Sequence, residues 1–163
     1  MNKMKEIKIE KITLNIGVGG KDNMDNSIKI LKELTGLAPK KTICKKRNPF
    51  GGAVGKPVGC MVTVRKNKIE FLKRLLTAKE NTLKRSSFDA NGNFSFGVSE
   101  YIDIPGMEYD AKIGMIGLDV SVTLERHGFR VRRRKNASKI GKKHEIRPED
   151  AIQFAEEMGV KVV

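Results

Sequence analysis

The chain of 163 residues has no tryptophan, two tyrosines and two cysteines. Cys44 and Cys60 are too few for a disulfide scaffold and are not spaced as zinc ligands, so no metal site and a reducing, cytoplasmic setting are the expectations. No apolar run approaches the about 20 residues that a membrane-spanning helix needs. The basic start, Met1-Asn2-Lys3-Met4-Lys5, has no apolar stretch behind it, so a secretory leader is not expected either. With aromatics at 6% and no amphipathic helix carrying aromatic anchors, attachment to a lipid surface is also disfavoured. What is present suffices to fold: hydrophobic residues make up 39% of the chain, enough for one core and one domain over residues 1–163.

The most informative scarcity is local, and it is of acid. Lys40 to Lys68 holds nine Lys or Arg and no Asp or Glu, while Arg126 to Arg147 holds ten against Glu145 alone. The two segments carry +18 between them, so the other 112 residues sum to −4 of the total of +14. A charge gathered in this way, on a chain whose remainder is mildly acidic, points to phosphate binding rather than to solubility alone.

Alternation and punctuation give an α+β reading. Glu6 to Val18 alternates, with Ile7 and Ile9 in one phase and Ile12, Leu14 and Ile16 in the other, which calls for a bulge near Glu10-Lys11. Asp22 to Thr35 is helical in spacing and closes on Gly36. A short basic strand is expected over Lys41 to Arg47, and a mobile glycine-rich loop over Asn48 to Pro57. Val58 to Arg65 is the cleanest strand, with Thr63 and Arg65 on its polar face. Asn67 with Glu70 suggests a capping box for a helix whose buried stripe is Ile69, Leu72, Leu75 and Leu76. Asn93 to Val98 and Ile116 to Leu124 read as half-buried antiparallel strands, with Ser99 to Met115 as a long ordered connection. Pro148 opens a last helix. The basic run Arg130 to Lys143, without acid and poor in apolar residues, is expected to be extended or partly disordered until it meets phosphates.

Motifs for catalysis are weak. Gly17-Val18-Gly19-Gly20-Lys21 has Asp22 where a phosphate loop needs Ser or Thr and where a dinucleotide loop needs Gly, and that carboxylate would repel a phosphate. These glycines are better read as a turn that lets the backbone approach another chain or an RNA strand. His127 and His144 sit among cations without a carboxylate nearby in sequence, and a backbone or phosphate contact is the expectation for them. Asp89, Asp103 and Asp110 adjoin turn residues, so no cofactor and no enzymatic activity are expected. An RNA-processing enzyme that docks through the basic segments and assembles an acid cluster from Asp89 to Asp119 is the alternative.

Five strings narrow the field: KITLNIGVG (Lys11 to Gly19), ELTGLAPKKT (Glu33 to Thr42), GKPVGCMVTVR (Gly55 to Arg65), SSFDANGNFSFGVSEYIDIPGMEYD (Ser86 to Asp110) and GLDVSVTLERHGFRVRRRK (Gly117 to Lys135). In this order they closely resemble the large-subunit ribosomal protein L five family in its archaeal form. The resemblance implies a single α+β domain, with a curved, largely antiparallel sheet of about five strands and helices packed on one side. It implies a structural constituent of the large ribosomal subunit that binds 5S rRNA in the central protuberance. Further implied partners are 23S rRNA, ribosomal protein L eighteen, small-subunit protein S thirteen and peptidyl-site tRNA. On this resemblance and the charge pattern, the rRNA-contacting set is Asn15, Gly17, Gly19, Pro39, Lys40, Lys41, Thr42, Lys45, Thr63 and Arg65, joined by Arg130, Arg132, Arg133, Arg134, Lys135, Lys139, Lys142 and Lys143 in the basic extension 126–147. The basic loop 46–57, with Lys46, Arg47, Asn48, Phe50, Gly51, Gly52 and Lys56, matches the segment that faces tRNA. One departure is Leu37, where the family commonly has Gln, so the amide contacts of a Gln are not carried over.

Overall fold

The computed structural model describes residues 2–18, 24–47 and 53–163. In chain order the elements are β1 (Ile7–Gly17), α1 (Met24–Thr35), β2 (Lys40–Ile43), β3 (Pro57–Val64), α2 (Lys68–Thr77), β4 (Thr82–Leu83), β5 (Phe94–Val98), β6 (Leu118–Arg126), α3 (Pro148–Glu157) and β7 (Lys161–Val162). Five strands form an open antiparallel sheet in the order β2-β3-β1-β6-β5. This is the α+β architecture that the sequence implies.

Alternation decides which face is buried. Ile12, Leu14 and Ile16 of β1, Cys60, Val62 and Val64 of β3, and Leu118, Val120, Val122 and Leu124 of β6 all point into one core. Ile30, Leu31 and Leu34 of α1 and Phe71, Leu72, Leu75 and Leu76 of α2 close that core. The phase slip in β1 is real, because its pairing with β6 shifts register between Ile9 and Lys11, so that Ile9 and Ile12 are both buried. At the end of α1, Gly36 has φ +67 and donates its N–H to the Lys32 carbonyl at 2.7 Å, the expected left-handed stop.

Three expectations need correction. Asn67 is itself left-handed (φ 47) and makes no side-chain cap, so α2 has no capping box; the Asn67 carbonyl accepts the Phe71 N–H as the first bond of the helix. Ile69 is 58% exposed and Phe71 takes its place in the core, because the helix starts at Lys68 and turns the 71/72/75/76 stripe inward. The strand expected to begin at Val58 starts at Pro57, and most of the glycine-rich loop before it, Asn48 to Gly52, lies outside the described residues.

One feature had no signal in the sequence. The chain end forms β7 and pairs in parallel with β4, Thr82 opposite Lys161 and Leu83 opposite Val162. Segments of two residues have no usable periodicity. The connection Ser99 to Met115, expected to be ordered, is pinned by buried Tyr101, whose hydroxyl accepts the Asp110 N–H at 3.1 Å, and by buried Ile104, Met107 and Ile113.

Candidate nucleic-acid interface

Helices α1 and α2 close the core on one face of the sheet, and the described residues of the other face are mostly polar. Register places Lys40, Met61, Asn15, Asp119 and Gly97 in one row across all five strands. The adjacent row is Thr63, Thr13, Ser121 and Ser95. Thr42, Gly59 and Gly17 form the row on the other side. Asn15 and Thr63, named from the sequence, are therefore diagonal neighbours on adjacent strands. Among the described residues, the side chains of Thr13, Asn15, Thr42 and Thr63 make no hydrogen bond, so their donors and acceptors remain open to a ligand.

Lys11, Thr13 and Met61 share this face without having been singled out by any motif. Period-two alternation from Asn15 and Thr63 is the signal that reaches them. Asp119 lies beside Asn15 on β6 and is exposed, so the β6–β5 half carries a carboxylate that repels phosphate. The β2-β3-β1 half carries Lys11 and Lys40 and is the half suited to RNA.

The cations fall into two groups at opposite ends of the sheet. Lys45, Lys46, Arg47 and Lys56 are exposed beyond the Thr42–Gly59–Gly17 row. Cys44 lies between them, its thiol donating to the Lys46 carbonyl at 2.8 Å and its N–H to the Lys56 carbonyl at 2.9 Å. Arg65 follows Val64, the partner of Ile12, and so lies toward the bulged start of β1. The segment Lys40 to Lys68, uniform in sequence, is thus divided by β3 between the two ends. Lys41 alternates to the helix side, 3.9 Å from Asp25 of α1, while Pro39 is half-buried in the turn before β2 and Leu37 is exposed. Gly19, Asn48, Phe50, Gly51 and Gly52 lie outside the described residues.

The carboxy-terminal basic segment departs from an extended form. A 3-10 turn spans Phe129–Arg132, and the Ser138 N–H returns to the Val131 carbonyl at 3.3 Å. Two arginines account for this order. Arg126 is buried and donates to the carbonyls of His144 and Glu145 (3.4 and 3.0 Å) and to Asp150 Oδ2 at 2.9 Å. Arg133 forms a fork on Glu10 at 2.6 and 2.5 Å and reaches Glu125 at 3.3 Å. Glu10 is the bulge residue of β1, and Glu125 also meets Lys8 at 3.4 Å. Arg133, expected to contact phosphate, instead fastens the segment to the sheet. Arg130, Arg132, Arg134, Lys135, Lys139, Lys142 and Lys143 are exposed.

His144, Asp89 and Asp110 have structural work. His144 Nε2 lies 2.8 Å from the His127 carbonyl, and its ring meets Phe129 edge-on at 5.6 Å, a backbone contact of the kind anticipated. Asp89 accepts from Ala90 N–H and Asn91, and Asp110 from Lys112 N–H, as turn residues do. Among the described residues no three His, Cys, Asp or Glu side chains gather closely enough to hold a metal ion, and no helix is long and apolar enough to cross a membrane. Burial pushes the Cys60 thiol up.

Residues 57–154 match the carboxy-terminal part of the ribosomal L5 family, and residues 2–49 match the family described as Ribosomal protein L5. The chain is 46% identical over 166 residues to the large ribosomal subunit protein uL5 of Nanoarchaeum equitans, covering 98% of both. It is 44% identical over 159 residues to the protein of that name from Sulfurisphaera tokodaii, covering 94% of this chain and 90% of the relative. With that of Pyrobaculum aerophilum the identity is 42% over 164 residues, covering 98% and 92%.

Proposed function

The chain belongs to the ribosomal protein L5 family, and from that premise we propose that it is a non-catalytic constituent of the large ribosomal subunit that binds 5S rRNA through the open face of its sheet. The observation that carries the reading is the cluster of unengaged short polar side chains, Thr13, Asn15, Thr42 and Thr63, in three adjacent rows of the open face, flanked at both ends by exposed cations. Phosphate contacts supply affinity and position without sequence information, whereas hydroxyl and amide groups on a shaped surface can engage ribose 2′-hydroxyls and exposed base edges. Cations at the two ends therefore fix the RNA, and the β2-β3-β1 half selects it.

Lys40, Thr42, Asn15, Gly17 and Thr63 form the selecting group in this reading, with Lys45 and Arg65 at its margins. The exposed members of the basic extension 126–147 neutralise neighbouring phosphates of 5S or 23S rRNA. By family resemblance the basic loop 46–57 faces peptidyl-site tRNA, ribosomal protein L eighteen is a neighbour in the central protuberance, and small-subunit protein S thirteen is met across the subunit bridge.

The test is a gel-shift titration of the full chain against 5S rRNA and an unrelated RNA duplex over a range of salt. Both affinities should fall as salt rises, with a log–log slope of about 0.7 to 0.9 per neutralised phosphate, and 5S rRNA should stay the tighter ligand throughout. Equal affinity for the two RNAs at moderate salt would remove the selective role of the sheet face.

A further inference from the structure

The basic segment lines an open cavity of about 530 Å³ that the sheet-face reading does not use. Its walls come from three places: the turn bearing Asn91, the 3-10 turn bearing Phe129, and residues 137–146. Half-buried Phe129 and Ile140 and buried Ile146 supply its apolar lining. Exposed Arg132, Lys139 and Lys142 line it as well, against Glu145 as the one acid, and among the described residues none of these three cations is in an ion pair.

The cavity is held in shape by contacts independent of any ligand. Arg126 ties the backbone at His144 and Glu145, and Ser138 is tied to Val131. Ile146 is pressed so closely on the Asn91-Gly92 turn that a Cβ at Gly92 would lie 2.4 Å from its Cγ2. Phe129 is set by its edge contact with His144.

We infer that this cavity receives a single unpaired nucleobase of RNA, which packs on Phe129, Ile140 and Ile146 while Arg132, Lys139 and Lys142 hold its flanking phosphates. The chemistry selects this occupant. A free anion has no use for an apolar floor, and a base-paired helix presents phosphates but nothing that can enter. An uncharged apolar side chain would leave three cations unmatched. An extruded nucleotide has both the flat apolar ring and the paired negative charges, and stacking on an aromatic ring contributes about tenfold or more in affinity. The inference rests on the RNA-binding reading above but concerns a separate surface.

The experiment compares the full chain and two variants on an RNA hairpin carrying one bulged 2-aminopurine and on the same hairpin fully paired, with 5S rRNA titrated in parallel. Ala137 lines the cavity and is exposed, so Ala137→Trp fills the space without altering charge or core. Phe129→Leu keeps apolar bulk but removes the ring. Wild type should bind the bulged hairpin about tenfold more tightly than the paired one and change the 2-aminopurine fluorescence. Ala137→Trp should abolish both effects while keeping wild-type affinity for the paired hairpin, and Phe129→Leu should weaken the preference. Persistence of the bulge preference in Ala137→Trp, or its absence from wild type that still binds 5S rRNA, overturns the cavity assignment alone. Loss of 5S selectivity in wild type instead overturns the reading of the previous subsection. Should the wild type, but not Ala137→Trp, bind an acidic peptide with a central Phe and show no bulge preference, the occupant is a protein and the inference is wrong.

Discussion

Two arginines from one basic run have opposite fates, and each is testable on its own. Arg132 is exposed without a carboxylate partner, whereas Arg133 is engaged by Glu10 and Glu125, whose side chains are only 12% and 19% exposed. Arg132→Ala should weaken RNA binding and leave thermal unfolding unchanged. Arg133→Ala should lower stability by about 1 kcal/mol, since a bidentate, half-exposed pair sits at the upper end of surface ion pairs. Buried Arg126 is held more deeply, so Asp150→Ala, which leaves its guanidinium short of a counter-charge, should cost about 2 kcal/mol in urea unfolding. Cys60 gives a pH signature. Its pKa is raised by burial, so folded and unfolded chains both hold the thiol proton at neutral pH. Above the ordinary thiol value of 9.0 the unfolded chain loses that proton first, and stability should fall as pH rises through that range. Cys60→Ser removes this dependence. The structural roles of Arg126 and Arg133 were not legible in sequence, because a run such as RVRRRK does not say which cation will fold back onto a carboxylate 123 positions away.

At the scale of elements, the sheet tolerates side chains unequally on its open face. At Gly59 a Cβ would lie 2.4 Å from the Ile16 carbonyl oxygen, backbone that cannot yield without moving β1. Gly59→Ala should therefore cost about 2 kcal/mol or more, and it should loosen the row that holds Thr42 and Gly17. At Gly97 the nearest atom is Asp119 Oδ1 at 3.7 Å, so Gly97→Ala should be neutral or stabilising by about 0.5 kcal/mol. Differential scanning calorimetry of the pair reads the contrast directly. Elements with strong alternation were legible: the β1 phase slip near Glu10, the β6 face from Leu118 to Leu124, and the Gly36 stop of α1 all follow from residue spacing. Elements fixed by tertiary contacts were not. Phe71 displaces Ile69 from the core only because α2 docks at a particular rotation, and the β4–β7 pair exists because the chain end returns to Thr82 and Leu83.

For the whole molecule, the division of charge seen in the sequence survives folding but changes shape. Lys40 to Lys68 is not one patch, since β3 carries Lys45, Lys46, Arg47 and Lys56 to one end of the sheet and Arg65 to the other, where the 126–147 segment is fastened by Arg133. The open face between them is polar rather than basic, with Asp119 set toward β5. This arrangement separates affinity from selection. Combined Arg130→Ala and Arg134→Ala, at exposed positions outside the cavity, should lower affinity for all RNAs alike, whereas Asn15→Ala and Thr63→Ala should reduce the preference for 5S rRNA by roughly tenfold while leaving duplex binding near wild type. The most direct measurement is a crosslinking map of the full chain bound to 5S rRNA, read by mass spectrometry of the RNA-linked peptides. Crosslinks from residues 11–17, 40–47 and 59–65 are the predicted result, and crosslinks concentrated on the exposed faces of α1 and α2 would contradict the account.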